Sequence, residues 1–295
     1  SDQTDSEHVI KNPKFNGTVS RGSVTCPCCG YTTPVARVRD QLKSHNGGAN
    51  NARLICVVTT RPGFQRRIYR LPTERDISGI QKAYKKLEHM NNNYVGDFSL
   101  IPNETITLEG SYRIIKMLLY GSRTWGHLFT TRQALCLSTL VRIIQNLSDK
   151  LGYDDKIFSK AIMTLLAFAV DRQADYNSSI CRWVPAGEFI GNTFGRQAIP
   201  IIWDFCEVSP LSDSTGGFTG AYEWIVNVLK RESLLYNNIG QVENASATNT
   251  LSPQIAQMDL LPTHHITMQL HMQLYLISSM YGFAGLCRRL IPACL

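Results

Sequence analysis

Cys26, Cys28 and Cys29 stand together in Cys26-Pro27-Cys28-Cys29-Gly30, and this spacing is suited to metal binding. Two thiolates three residues apart converge on one ion, and a following glycine lets the backbone turn around the sulfurs. Zn²⁺ is the natural occupant, with Cys26 and Cys29 as ligands. A closed structural zinc site takes four ligands, however, and the chain holds no second C-x-x-C. Cys28, His45 and Cys56 follow without knuckle spacing, so the expected second pair lies upstream of Ser1. The alternative is a loop of cysteines without metal. Such a ribbon would be structural, not catalytic.

Two further stretches are dense in recognition chemistry. Tyr120 to Gln133 carries Arg123, Trp125, His127 and Arg132; Asp171 to Trp183 carries Asp171, Arg172, Asp175, Asn177, Arg182 and Trp183, and Arg196 follows. Asp171 and Asp175 lie one helical turn apart, as do Arg172 and Tyr176. One reading sets the arginines on phosphates or bases, with Trp or Tyr stacked beside a displaced nucleotide. The other sets Asp and Arg against each other at a buried helix end, where they fix packing. His127 alone is no catalytic signal. Ser214 to Gly220, "STGGFTG", matches neither G-x-x-x-x-G-K-[ST] nor G-x-G-x-x-G and reads as a loop before a helix. Gly191 and Gly195 read as a small-residue pair on a helix face.

The elements that must position these groups divide the chain. Residues 17 to 72 hold short alternating runs, "RLICVVTT" and "RRIYRLP", which predict small antiparallel strands with little helix. Asp76 to Met90 predicts an amphipathic helix with Ile77, Ile80, Tyr84 and Leu87 on its apolar side. Asn91 to Glu109 reads as a polar linker. Thr130 or Thr131 caps a helix through Leu147, and a second, from about Asp155 past Ala169, is apolar nearly all round and is expected to be buried. A third, across 187–208, is interrupted by Pro200, and a fourth runs from about Thr219 to Leu235.

The fold class expected is therefore α+β: a β-rich, zinc-ribbon-like part over 1–75, a helix and linker over 76–110, and a mainly helical region over 111–248. The 249–295 tail stands apart.

The 295 residues, 43% of them hydrophobic, suffice for a real core. Net charge is +7, and residues 1 to 75 carry all of the surplus, with 12 Lys and Arg against 5 Asp and Glu. A basic segment of this kind attracts polyanions, nucleic acid first, and is otherwise a solvated surface. The nine cysteines, three of them crowded together, point to a reducing compartment rather than to disulfides. No apolar run approaches bilayer length, and Ser1 in first place gives the expectation of a soluble interior fragment.

The strings "GTVSRGSVTCPCCGYTTPVARVR", "WGHLFTTRQ", "LAFAVDRQADYNSSICRW" and "NTFGRQAIPIIWDFCEVSP" resemble the zinc-ribbon-containing prokaryotic adenine-specific DNA methylases, over about Gly17 to Thr248. The resemblance implies a Gly-rich S-adenosylmethionine loop upstream and a D-P-P-Y motif after "SAT-x-L-P". This chain departs from that pattern at both ends: the cofactor loop is absent, and no D-P-P-Y follows Ser246-Ala247-Thr248.

The tail encodes that motif one frame away. Its His and Met residues follow neither helical nor strand periodicity. Starting each codon at the third base of the written one, Met268-Gln269 is forced to alanine and Met280-Tyr281 to valine. The neighbouring codons permit D-P-P-Y-Y-D-A across Pro262 to Gln269 and F-F-Y-V-W-L-R-R across Ile277 to Gly285. The slip falls between about Thr248 and Leu251. In such enzymes the acid and proline carbonyl accept hydrogen bonds from the exocyclic amine of a flipped base while the tyrosine stacks on it. His264 and His265 are then shifted proline and tyrosine codons, not metal ligands.

The sequence reads as an interior fragment of a cytoplasmic, prokaryotic DNA methyltransferase of the restriction-modification or phage-defence kind. The resemblance implies S-adenosylmethionine and Zn²⁺ as cofactors of the intact enzyme. Double-stranded DNA is the expected partner, with missing upstream and downstream parts of the same polypeptide. The chain alone is expected to be inactive, with no native fold beyond about Thr248. Alternatives are a zinc-ribbon nucleic-acid-binding adaptor without catalysis and an RNA-modifying methyltransferase.

Overall fold

The computed structural model describes residues 17–60, 67–106, 115–147, 156–196 and 198–232. The tail expected to be out of frame, beyond about Thr248, lies outside them. Within them the chain is mixed, with five α-helices and small antiparallel sheets. Strands β1 (Val19–Ser20), β2 (Ser23–Thr25) and β3 (Thr32–Thr33) form one sheet in that order, with Val24 opposite both Val19 and Thr33. Helix α1 (Val35–Lys43) follows directly, where little helix is expected. Its apolar residues Val35, Val38 and Leu42 are spaced three and four apart, so the helical period is present in a segment otherwise rich in β-branched residues.

Strands β4 (Val57–Thr59) and β5 (Ile68–Arg70) come from the two alternating runs and pair as a hairpin, Val58 opposite Tyr69. Helix α2 (Glu74–Asn92) starts at a capping box in which the Thr73 amide and hydroxyl both donate to Asp76 Oδ2, each at 2.7 Å. Arg70 grips the same carboxylate from both sides, at 2.7 and 3.0 Å, so the last strand residue of the hairpin is tied to the first turn of the helix. These bonds, the Arg70 guanidinium foremost, hold the Asp76 carboxyl well below the usual range.

The expected linker after α2 is partly core. Leu100 and Ile106 are buried, and the Ile106 amide donates to the Arg123 carbonyl. Polar composition hid this, because a few apolar side chains, Tyr94 and Ile101 packed against the core among them, anchor a segment most of whose residues are polar. Two 3-10 turns, Lys116–Tyr120 and Trp125–Leu128, lead into α3 (Thr131–Leu147). Thr130 and Gln133 form the expected cap reciprocally: the Thr130 amide donates to Gln133 Oε1, and the Gln133 amide donates to Thr130 Oγ1.

Helix α4 (Lys156–Asp175) packs between α3 and α5 (Phe218–Glu232). It is not buried all round. Met163, Ala167 and Val170 face the core, but Ile157, Phe158 and Phe168 are exposed. A wholly apolar stretch carries no contrast to show which side is covered, and here two neighbours cover only part of the circumference.

The described residues of 187–208 form no helix, although a third is expected there. Residues 187–208 hold strand β7 (Phe189–Gly191), paired to β6 (Arg182–Val184) as a hairpin, followed by irregular chain. Gly191 and Gly195 therefore do not share a helix face. A Cβ at either would lie 3.1–3.2 Å from the Arg182 guanidinium, so both glycines make room for that side chain. The core runs through α2, α3, α4 and the chain around Ile180, Phe194 and Ile199. No helix among the described residues is long and apolar enough to cross a membrane.

Candidate functional site

The cysteine loop joins β2 to β3. The Cys26 amide donates to the Tyr31 carbonyl and the Gly30 amide to the Cys26 carbonyl, both at 2.9 Å, which closes the turn. Gly30 takes φ +71°, the left-handed conformation that glycine adopts without strain. The Thr25 and Thr32 hydroxyls meet at 3.0 Å across the base of the loop. The backbone amides of Cys29 and then Cys28 hydrogen-bond to the Cys26 thiol and lower its pKa. Amides aimed at a sulfur stabilise thiolate, the form that binds metal. Cys26 is half-buried, and Cys28 and Cys29 are exposed. Among the described residues, no three His, Cys, Asp or Glu side chains converge where they could hold an ion. Cys26 and Cys29 thus fit half of a zinc site by donor chemistry, and His45 and Cys56 do not complete it. His45 is engaged instead by Asn51.

The two polar stretches meet. The Ser179 amide donates to the Leu128 carbonyl at 2.7 Å, the Cys206 amide to the Cys181 carbonyl at 2.9 Å, and Arg132 Nε to Glu207 Oε2 at 2.8 Å. Three segments far apart in sequence are thereby held side by side.

The candidate recognition residues then divide by position. Trp125 is 5% exposed and belongs to the core, and Asn177 is 1% exposed. His127 Nδ1 accepts from the Arg123 and Thr124 amides, so the ring caps a 3-10 turn, and burial followed by the Arg123 charge lowers its pKa. Arg172 lies over Trp224, 4.7 Å from the ring centroid, and over Tyr176 at 5.6 Å. Trp183 meets Tyr69 edge to face at 6.1 Å, and Tyr69 donates to Glu188 Oε1 at 2.8 Å. Arg123, Arg182 and Arg196 are exposed. Of the set, these three arginines have the exposure that phosphate contact requires.

No family model matches the chain, and no curated protein or solved structure matches it.

The end of α4 is a polar clasp. Asp175 Oδ2 accepts from Asn192 Nδ2 at 2.9 Å and Oδ1 from the Phe194 amide at 3.0 Å, while its carbonyl accepts from the Thr193 amide and hydroxyl, each at 2.7 Å. The Ser178 hydroxyl meets that of Thr193 at 2.8 Å. Burial raises the Asp175 pKa even so. Asp171, one turn earlier, is pushed by burial to about 7, and its Oδ1 lacks a hydrogen-bond partner. The charge of Arg172 acts on Asp175 rather than neutralising Asp171. Asn192, Thr193 and Ser178 escaped the sequence reading. Their types are common in loops and helix ends, and only the approach of residues 192–194 to α4 gives them a shared role.

Proposed function

We propose that this chain is the interior part of an S-adenosylmethionine-dependent DNA amino-methyltransferase, supplying half of a zinc ribbon and a region that faces the nucleic acid. The observation that carries the reading is the out-of-frame D-P-P-Y-Y-D-A across Pro262 to Gln269, where the forced Met268 codon falls in register with permitted ones. The knuckle supports the zinc part: Cys26 and Cys29 flank a turn whose amides favour thiolate. Exposed Arg123, Arg182 and Arg196 and the basic first quarter support contact with double-stranded DNA.

In the intact enzyme, S-adenosylmethionine supplies the methyl group, and the exocyclic amine of the target base, adenine by resemblance, receives it. The test is direct. Resequencing across the codons for Thr248 to Leu251 should find one base lost or gained, and the reframed polypeptide, extended upstream, should transfer labelled methyl to DNA and bind zinc. The present chain should do neither at the level of the restored one. An intact frame at that point, or methyl transfer by the present chain alone, would overturn the reading.

A further inference from the structure

Helix α4 keeps an apolar side that its two neighbours leave open. Residues 161–168, Ala-Ile-Met-Thr-Leu-Leu-Ala-Phe, carry no charge, yet they are covered only in part. Met163 and Ala167 are buried, whereas Ala161 is exposed, Leu165 half-buried and Phe168 45% exposed. Ala161, Leu165, Phe168 and Arg172 recur at three and four residues and so line one side of the helix. On α5, Trp224 is 55% exposed and Val228, one turn on, 41%.

Two contacts set the direction of α5 along α4. A Cβ at Gly216, just before α5, would lie 3.0 Å from Tyr176 Cβ, and Arg172, one turn earlier in α4 than Tyr176, lies 4.7 Å from the Trp224 ring centroid. Helix α5 therefore runs antiparallel to α4, and its next turn brings Val228 to the level of Phe168. Leu165, Phe168, Trp224 and Val228 make one apolar strip across both helices, with Arg172 engaged over the Trp224 and Tyr176 rings. Such a surface gains by leaving water and offers little to a phosphate, so it is a seat for protein rather than for nucleic acid.

The course of the chain favours one occupant. The eight residues from Trp224 to Glu232, at about 1.5 Å each, carry α5 roughly 12 Å farther, so the polypeptide leaves it beside the middle of α4. The out-of-frame D-P-P-Y is encoded from Pro262, 30 residues after Glu232, a span of at most about 100 Å when fully extended. A part tethered at that range meets the strip at a roughly millimolar effective concentration, far above what a second copy supplies in dilute solution.

We infer that this strip seats the catalytic part of the same enzyme, the part that the restored frame encodes downstream of about Thr248. The seat presupposes the methyltransferase reading of the tail. It makes α4 a helix covered on all sides in the intact enzyme, as a stretch apolar all round requires. The open side in the present chain then has a cause, because the slip in frame removes its cover.

Hydroxyl-radical footprinting, read residue by residue by mass spectrometry, tests this on the chain as it stands and on the intact enzyme, reframed and extended upstream. In the present chain Phe168 and Trp224, corrected for side-chain reactivity, should be modified as readily as Tyr84, which is 58% exposed. In the intact enzyme both should fall to the level of Phe194, which is 6% exposed. Phe168→p-benzoylphenylalanine in the intact enzyme should, on irradiation, cross-link to peptides encoded beyond position 248. Undiminished modification in the intact enzyme, protection already in the present chain, or cross-links only to upstream residues or to a second molecule would overturn the proposal. Methyl transfer measured on the same preparation keeps the two readings apart. An active enzyme with Phe168 and Trp224 still open loses the seat and keeps the methyltransferase; a protected strip in a protein that transfers no methyl keeps the docked downstream part and loses the methyltransferase.

Discussion

At Asp171 burial without a compensating partner sets the charge, and the sign of the consequence follows from linkage. Its folded pKa of about 7 lies above the ordinary carboxylate value near 4, so between those values the folded state holds a proton that the unfolded chain has lost. Stability is therefore highest below about pH 4 as far as this group is concerned and declines as pH rises to about 7, by up to roughly 4 kcal/mol. Asp171→Asn should flatten that decline and leave the protein more stable than the parent at pH 8, measured by urea unfolding at pH 5 and pH 8; an unchanged slope would refute the assignment. The cysteines make a second test at the same scale. Amide hydrogen bonds lower the Cys26 pKa, whereas burial raises Cys136 to about 11 and Cys206 to about 12. Alkylation at pH 7 followed by mass spectrometry should modify Cys26 well before Cys136 or Cys206, since thiolate is the reacting form. The tight turn at Cys26 to Gly30 was legible in the sequence because its residues are neighbours in the chain. A buried helix end was one of the two readings for Asp171, but its lack of a neutralising arginine was not legible, since that depends on side chains far from it in sequence.

Among the elements, those with a strong apolar period were legible and those defined by distant partners were not. Helices α2, α3 and α5 lie close to where their patterns put them, but Ile77 and Tyr84, expected on the apolar side of α2, are exposed, and Leu87 and Met90 are its buried residues. Strand β7 was expected as helix, because what fixes it is Arg182 lying across Gly191 and Asp175 receiving residues 192–194, contacts no local window contains. That clasp also predicts a cost. Asp175→Ala removes two bonds to a carboxylate and leaves the Asn192 amide and Phe194 N–H in search of partners, which should destabilise the fold by about 3 kcal/mol in denaturant unfolding. Phe168, on the uncovered side of the same helix, should behave oppositely: Phe168→Gln is expected to change stability by less than about 0.5 kcal/mol, because 45% of the side chain already faces water. A large loss there would mean that this face is covered in solution.

For the molecule as a whole, the described residues of the basic first quarter and the helical region are packed neighbours. Arg67 Nε donates to the Glu188 carbonyl at 3.2 Å, the Thr131 hydroxyl donates to Asn50 Oδ1 at 3.2 Å, and α1 rests against the Lys116–Tyr120 turn. A surplus of positive charge at one end of the sequence is thus joined to a surface that also presents Arg182 and Arg196, with the Arg182 guanidinium beside Gly195. If these arginines contact phosphates, each releases counterions on binding, and the logarithm of the association constant falls linearly with the logarithm of salt concentration. Replacing Arg182 or Arg196 with Ala should lower the steepness of that line for duplex DNA by about one each, and weaken binding uniformly across sequences, because phosphate contacts carry no base information. Fluorescence anisotropy with two unrelated duplexes from 50 to 200 mM salt, concentrations of roughly the range over which such contacts respond, separates the outcomes. A slope unchanged in both variants would show these arginines to be a solvated face, and the surplus charge would then act through residues elsewhere in the first quarter or not at all.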